Sequence, residues 1–273
     1  MAAVVRPARG RRTRLQRIRH DLRGSGPRLV RLVVLPILLL VLWETGAWLK
    51  LINPVFLPPP SRILAAAQQL VQSGELFRNI ADSLQRIAIA NLVAIGVGVP
   101  LGFFMGLFRP FEDLMDGLVN LLRPIPPLAW IPLAIVWLGL GDAAKVLVIW
   151  VAAFVPAAIN SYAGVRAIEP YLIEAARTLG ATRRMMVREV LLPGALPLIF
   201  TGLRLSLQAC WTTLVAGELI GAITGLGHLL YQAGLDLYPA MILVGMVAVA
   251  VAGALMTALL GWAEKRAMPW RTA

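Results

Sequence analysis

The amino-acid sequence predicts an all-α integral membrane protein with six transmembrane helices. Hydrophobic residues make up 59% of the 273 residues and the mean hydropathy is +0.76, so the chain is more apolar than a soluble core of this size can bury. A helix needs about 20 apolar residues to cross the hydrocarbon layer. Six segments meet this requirement, at approximately 29–50, 80–108, 117–140, 143–164, 195–221 and 238–263.

The distribution of basic residues predicts that both termini lie in the cytoplasm. Ten arginines lie at or before Arg31, where Asp21 is the only acidic residue. With the N-terminus inside, the cytoplasmic side also holds Arg109, Arg123, Arg166, Arg177, Arg183, Arg184, Arg188, Lys265, Arg266 and Arg271. The outer segments then hold only Lys50, Arg62, Arg78 and Lys145. This asymmetry is the one that the positive-inside rule requires.

We therefore expect a basic cytoplasmic arm over residues 1–28, a six-helix domain over residues 29–265 and a cytoplasmic tail over residues 266–273. A basic arm directly before an apolar segment keeps the N-terminus in the cytoplasm, so nucleic-acid binding is not predicted. The chain has one cysteine, Cys210, and two distant histidines, His20 and His228. We accordingly expect no disulfide framework, no metal site and no catalytic residues.

Two local patterns mark the connection after the first span and the second span itself. Pro54 and the three prolines at 58–60 predict a stiff external turn before a short amphipathic helix over residues 62–71. Small residues then recur every four positions in the second span, at Ala94, Gly98, Gly102 and Gly106. Such a face lets another helix approach closely, and we favour packing within the chain over a subunit interface.

The third span, residues 117–140, is the least regular of the six. It contains Pro124, Pro126, Pro127 and Pro132. Each proline removes a backbone donor, so we expect this helix to be kinked or shortened.

Residues 166–193 interrupt the spans with a segment that cannot cross the membrane. Its charged residues are Arg166, Glu169, Glu174, Arg177, Arg183, Arg184, Arg188 and Glu189, and each would cost about 2.5–3.5 kcal/mol at the bilayer centre. Pro170 predicts the start of a short helix and Gly180 its left-handed stop. Thr182 predicts the cap of a second helix, which Pro193 should end before the fifth span. Two such helices either dock in a groove of another protein or lie on the lipid surface, and physical arguments leave both alternatives open.

A longer pattern in the same segment resembles a known family. Glu174-Ala175-Ala176, three residues, Gly180, nine residues and then Val190-x-Leu192-Pro193 are similar to the cytoplasmic E-A-A loop of binding-protein-dependent ABC importer permeases. Val190 stands where that family usually has isoleucine. Residues 122–133 and 160–165 are similar to the branch that serves sulfonates, taurine, nitrate and related small anions.

The resemblance implies the type I ABC importer permease fold in the cytoplasmic membrane of a bacterium. Two permease copies, expected to be a homodimer, would assemble with an ATPase dimer and an external substrate-binding protein. The segment at about 166–193 would be the coupling loop, with ATPase-coupling residues Glu174, Ala175, Ala176, Gly180, Val190, Leu192 and Pro193. ATP and magnesium would be bound by the ATPase and no cofactor by this chain, which agrees with the absence of a G-x-x-x-x-G-K-[ST] phosphate loop from the sequence.

Polar residues within the fifth span are the candidates for a translocation path. Gln208 and Thr212 are four apart and share a face, and Trp211 lies beside them. Hydrogen bonding between helices is the alternative for each of the three. Arg204 and Glu218 are either structural or path residues, with Arg204 expected to tie the coupling loop to the helix bundle.

These observations favour a permease subunit for the ATP-driven import of a small anion. An ion-coupled secondary transporter is the alternative, with Glu44 or Glu218 as its proton carrier. The sequence does not distinguish between aliphatic sulfonates, taurine and nitrate, because selection in such importers would lie mainly in the binding protein.

Overall fold

Helices are the regular elements throughout the described part of the chain. The computed structural model describes residues 34–219 and 222–270. Its helices are α1 (Val34–Trp48), α2 (Pro60–Gln72), α3 (Glu75–Leu107), α4 (Arg109–Leu122), α5 (Ile131–Leu138), α6 (Asp142–Arg166), α7 (Pro170–Thr178), α8 (Arg183–Leu219), α9 (Leu226–Leu235) and α10 (Pro239–Ala267). The predicted basic arm, residues 1–28, and the start of the first predicted span lie outside the described residues. The chain divides into two compact units, Met1–Arg62 and Ile63–Ala273.

Four helices are long and apolar enough to cross a membrane: α3, α6, α8 and α10. A fifth candidate is α4 together with Pro127–Leu138, which are bent by 88° relative to each other. In its described length, α1 is a shorter apolar helix. The structure is therefore compatible with the six predicted spans, and the break in the third one falls among the prolines, as expected.

The core of the second unit is formed by α3, α6 and α8. Its buried residues include Ile87, Ala94, Ile149, Ala153, Leu207 and Leu214. A Cβ atom at Gly102 would lie 2.8 Å from the carbonyl carbon of Ala158 and 2.9 Å from the backbone nitrogen of Tyr162. At Gly106 it would lie 2.5 Å from the Cβ of Val165. The small-residue face of α3 thus packs against α6, which confirms the predicted packing within the chain.

The prediction that Pro193 ends a helix is wrong. The helix α8 begins at Arg183 and continues through Pro193 into the fifth span. Met186–Leu191 form a π-helical turn, in which the N–H of Leu192 donates to the carbonyl of Val187. A proline ring presses against the carbonyl one turn before it, and the wider π turn directly upstream gives the ring room.

Two shorter helices pack together with α10. The amphipathic α2, predicted from the sequence, buries Ala66 and Leu70 in a cluster with Leu229 of α9 and Val244 of α10. The sequence analysis placed no helix at α9, because its 10 residues are too few to cross a membrane.

Gly102→Ala tests the contact between α3 and α6. The added methyl group meets backbone atoms that cannot rotate away, so we expect the free energy of unfolding to fall by about 1–3 kcal/mol. Thermal unfolding of the detergent-solubilised protein measures the change. The matched control is Gly96→Ala on the same helix, where a Cβ meets nothing within 4 Å. Equal melting temperatures for the two variants would contradict the described packing.

Candidate coupling and translocation site

The first helix of the predicted coupling loop is closed at both ends by local backbone chemistry. Pro170 occupies the first position of α7, where its missing N–H needs no partner. At the other end, Gly180 has a φ of +81°. Its N–H donates to the Arg177 carbonyl at 2.9 Å, and the N–H of Ala181 donates to the Ala176 carbonyl at 3.0 Å. These two bonds form a Schellman motif, so Gly180 fixes the direction in which the chain leaves α7.

The second helix begins at Arg183, three residues after Gly180, and is capped by Thr182 as predicted. The hydroxyl oxygen of Thr182 accepts a hydrogen bond from the N–H of Met185 at 3.3 Å. Only Ala181 lies between the two caps, so the connection between α7 and α8 is short and is hydrogen-bonded on both sides.

The helix α7 is exposed on most of its surface. It contains no buried residue; Glu174 and Ala175 are exposed and Ala176 is half-buried. Leu179, beside Gly180, is 87% exposed. In the following helix Leu192 is exposed, while Val190 and Pro193 are half-buried. Of the predicted coupling residues, Glu174, Ala175, Gly180 and Leu192 are thus exposed, and the others are half-buried.

The start of this loop is anchored to α4 by a cluster that the sequence analysis did not find. The Glu112 carboxylate accepts from Arg166 Nη2 at 2.8 and 2.9 Å, and the Tyr162 hydroxyl also donates to it. Tyr162 and Arg166 are four apart at the end of α6, a spacing that places them on one face. The spacing of Tyr162 and Arg166 is visible in the sequence, but their contact with Glu112 on α4 depends on the tertiary fold.

A second cluster that sequence analysis missed lies at the opposite end of α6. Arg86 of α3 is 4% exposed, and its Nη1 donates to the Glu218 carboxylate of α8 at 2.6 Å. Its Nε donates to Asp142, the first residue of α6, at 2.9 Å. Ser83 also donates to Glu218, at 2.9 and 3.0 Å. Arg86 and Asp82 were the charged residues of the predicted span 80–108, and a charge in a span should have marked Arg86 as a candidate.

The same cluster holds the start of α9. The N–H of Gly225 donates to Asn79 Oδ1 at 2.8 Å, that of Leu226 to Ser83 Oγ at 2.9 Å and that of Gly227 to Glu218 Oε2 at 2.8 Å. The first amides of a helix have no partner within it, and a carboxylate there is also favoured by the helix dipole. Glu218 therefore accepts hydrogen bonds both from the first turn of α9 and from the buried Arg86.

The path candidates in α8 fall into two groups. Gln208 and Thr212 are exposed on one face, and the Thr212 hydroxyl donates within its own helix, to the Ala209 carbonyl at 3.1 Å. Trp211 is buried, and a Cβ at Gly253 of α10 would lie 3.5 Å from its Nε1. Only Gln208 and Thr212 therefore face the open side of α8.

Arg204 and Glu44 also have defined partners. Arg204 forms an ion pair with Glu264 of α10, and not with the coupling loop as the sequence analysis expected. In the first unit, Glu44 accepts from the Ser61 hydroxyl at 2.8 Å and the Ser61 N–H at 3.1 Å. Among the described residues, no group of three or more His, Cys, Asp and Glu side chains is placed to hold a metal ion.

In the described residues, the chain is thus a helical bundle with an exposed loop between two candidate spans. A family model described as a binding-protein-dependent transport system inner membrane component matches residues 98–269. The taurine transport system permease protein TauC of Escherichia coli K12 is 41% identical over 237 residues, which cover 85% of this chain and 86% of that protein. The putative aliphatic sulfonates transport permease protein SsuC of Bacillus subtilis 168 is 33% identical, covering 88% of this chain and 87% of that protein.

A solved structure gives the same assignment. An inward-facing conformation of the MetNI methionine ABC transporter matches with a TM-score of 0.59 and 27% sequence identity, covering 74% of this chain and 98% of that chain. The chain belongs to the family of binding-protein-dependent transport system inner membrane components. It is a multi-pass permease subunit of an ABC importer, a translocation component and not an enzyme. This assignment excludes the ion-coupled secondary transporter that was the alternative.

Glu218→Ala tests the buried cluster at the start of α6. Removing one partner of a buried ion pair leaves Arg86 with an unbalanced charge and the start of α9 without its acceptor. We expect the free energy of unfolding to fall by about 3–5 kcal/mol, measured by thermal unfolding in detergent. Glu75→Ala, which removes an exposed glutamate from α3, should change it by less than about 1 kcal/mol. A Glu218→Ala protein as stable as the Glu75→Ala control would contradict this role.

Proposed function

We propose that this chain forms the homodimeric membrane pore of an importer that uses ATP to take up a small organic sulfonate of the taurine type. The observation that carries the coupling role is the rigid, exposed α7, fixed by the Gly180 motif and the Thr182 cap. The identity of 41% with the taurine permease of Escherichia coli supports the substrate class. ATP and magnesium are bound by the partner ATPase in this proposal, and an external binding protein delivers the substrate.

The coupling loop docks in a groove on the ATPase. Ala175 and Ala176 are small, so a partner surface can approach the backbone of α7 closely there, and the exposed Glu174 can bond to that surface. Val190, Leu192 and Pro193 set the start of α8 relative to α7. Closure of the ATPase then moves α7, and the direct continuation of α8 into its span carries the movement into the membrane.

A second copy of the chain covers the open face of α8. Thr201, Leu205, Gln208 and Thr212 are exposed at intervals of four, three and four, which places them in one stripe. Polar residues in membrane helices generally face other helices or a water-filled cavity and not lipid. A homodimer in which two such stripes face each other provides this environment and creates a path lined by neutral donors.

The proposed orientation is the one that the distribution of basic residues predicts. The coupling loop lies in the cytoplasm, where the ATPase is, and both termini lie on that side. The basic arm over residues 1–28 then remains cytoplasmic next to the first span, and the Arg86 cluster lies toward the outer face of the membrane.

Gly180→Val tests the coupling role. A β-branched residue at a positive φ is strained by roughly 1–3 kcal/mol, so the substitution should disrupt the end of α7 and release the ATPase or leave its hydrolysis uncoupled from transport. Mass spectrometry of proteins that copurify with the tagged permease in mild detergent measures ATPase retention. Gly74→Val is the matched control, because Gly74 has a φ of +73° and, like Gly180, no atom within 4 Å of an added Cβ, but lies on the predicted outer side. Normal coupled hydrolysis in the Gly180→Val importer would contradict the proposal.

Ala175→Trp tests docking without backbone strain. The exposed tryptophan should leave the melting temperature unchanged and reduce ATPase copurification severalfold, because it fills the space that the partner needs. Ala65→Trp, at an exposed alanine of the short helix α2, should retain the ATPase fully. Equal retention by both variants would show that α7 does not dock.

A further inference from the structure

A cavity of about 150 Å³ lies between α4 and the inner halves of α3 and α6. Met105 and Ala158 contribute apolar walls, while Asp116, Asn120, Arg123 and Tyr162 contribute polar groups. The volume is below the roughly 300–1,000 Å³ of pockets for drug-sized ligands, so an occupant has few heavy atoms. A carboxylate and a guanidinium thus line one small chamber.

The helix α4 directs its polar residues to this chamber. Asp116, Asn120 and Arg123 follow one another at intervals of four and three, which places them on one face. The opposite face carries exposed apolar residues, Leu114, Leu118 and Leu121. The charged and polar groups of the chamber are therefore contributed mainly by one face of α4.

The charged groups of the chamber are free to bind a ligand. The side chains of Asp116, Asn120 and Arg123 form no hydrogen bond or ion pair with any residue in 34–219 or 222–270. One turn earlier on α4, Glu112 is fully engaged by Tyr162 and Arg166. Since Tyr162 also lines the chamber, the Glu112 cluster forms the end of it that lies next to the coupling loop.

We propose that this chamber binds a small zwitterion that carries an ammonium group and a sulfonate group, a proposal that rests on the sulfonate import proposed above. The Arg123 guanidinium, assisted by the Asn120 amide, binds the sulfonate, and the Asp116 carboxylate accepts hydrogen bonds from the ammonium group. The fork of donors on arginine matches the oxygens of an oxyanion. Asp116 repels a simple anion and attracts an amino-sulfonate, so the chamber adds a selection step to that of the binding protein.

The chamber is suited to weak binding and release of its ligand. Asp116 and Arg123 are exposed, and solvent-exposed ion pairs contribute little to affinity. A weakly held ligand can leave when the helices rearrange. Because Arg166 lies four residues before α7, a movement of the coupling loop acts directly on the Glu112 cluster at the end of the chamber.

The experiment measures equilibrium binding of radiolabelled 2-aminoethanesulfonate to the permease purified with its ATPase in lipid nanodiscs, without binding protein or ATP. Ethanesulfonate, which lacks the ammonium group, competes in a parallel titration. Arg123→Gln should weaken binding of both compounds by about tenfold, because each loses a charge-assisted contact. Asp116→Asn should weaken the binding of 2-aminoethanesulfonate by a similar factor. Ethanesulfonate should bind to this variant with equal or higher affinity. Arg123→Lys, which keeps the charge, should give an intermediate affinity.

The matched controls are Asp113→Asn and Arg109→Gln, which make the same charge changes on exposed residues of α4 outside the chamber. They should leave both affinities unchanged. The chamber proposal is overturned if the unmodified complex shows no saturable binding, or if the chamber and control variants have equal effects. If the complete importer still takes up 2-aminoethanesulfonate with ATP, the chamber proposal alone has failed. Absence of that uptake overturns the proposed substrate itself.

Discussion

The buried ion pair between Arg86 and Glu218 is the interaction on which the packing around the start of α6 depends. Glu218 is 1% exposed, and an unpaired charge in such surroundings would cost several kcal/mol. Both side chains have further hydrogen-bond partners. Arg86 also donates to Asp142 and to the Thr224 carbonyl, at 2.9 Å each. Glu218 also accepts from Ser83 and from the Gly227 N–H. Four elements, α3, α6, α8 and the start of α9, are therefore held in one arrangement.

The helix α6 connects this cluster to the predicted coupling loop. Its first residue, Asp142, belongs to the Arg86 cluster, and its last residue, Arg166, binds Glu112. Between these ends α6 lies against α3 at Gly102 and against α8 at Gly202, where an added Cβ would lie 2.7 Å from the Cβ of Asn160. Close packing of this kind leaves little room for one helix to slide past another. In our account, a displacement of α7 therefore moves α3, α6 and α8 together.

The sequence predicted best those features that depend on local chemistry. Pro170, Gly180 and Thr182 each act within one helical turn, and the structure places all three in the expected roles. The small-residue face of α3 was also predicted, because its period of four needs no knowledge of the partner helix. Pro193 was predicted wrongly, since a proline usually ends a helix and only the π turn upstream makes its continuation possible.

The features that the sequence analysis missed depend on residues far apart in the chain. Arg86 and Glu218 are 132 positions apart, and Glu112 and Arg166 are 54 apart. No periodicity in the sequence links such pairs. A charged residue in a span can therefore be identified as a functional candidate while its partner stays unknown. The start of α9 likewise depends on distant residues, because it is capped by side chains from α3 and α8 and not by its own neighbours. Likewise, the chamber lined by Asp116 and Arg123 exists only because α4 is held beside α6.

The most direct test of the coupling role is site-specific photo-crosslinking from Leu179, which is 87% exposed at the end of α7. A photoreactive amino acid at this position in the assembled importer should form an adduct with the ATPase. The same amino acid at Leu237, which is 83% exposed on the predicted outer side, should form none with the ATPase. If position 179 forms adducts with lipid and none with the ATPase, the account is contradicted and α7 lies on the membrane surface.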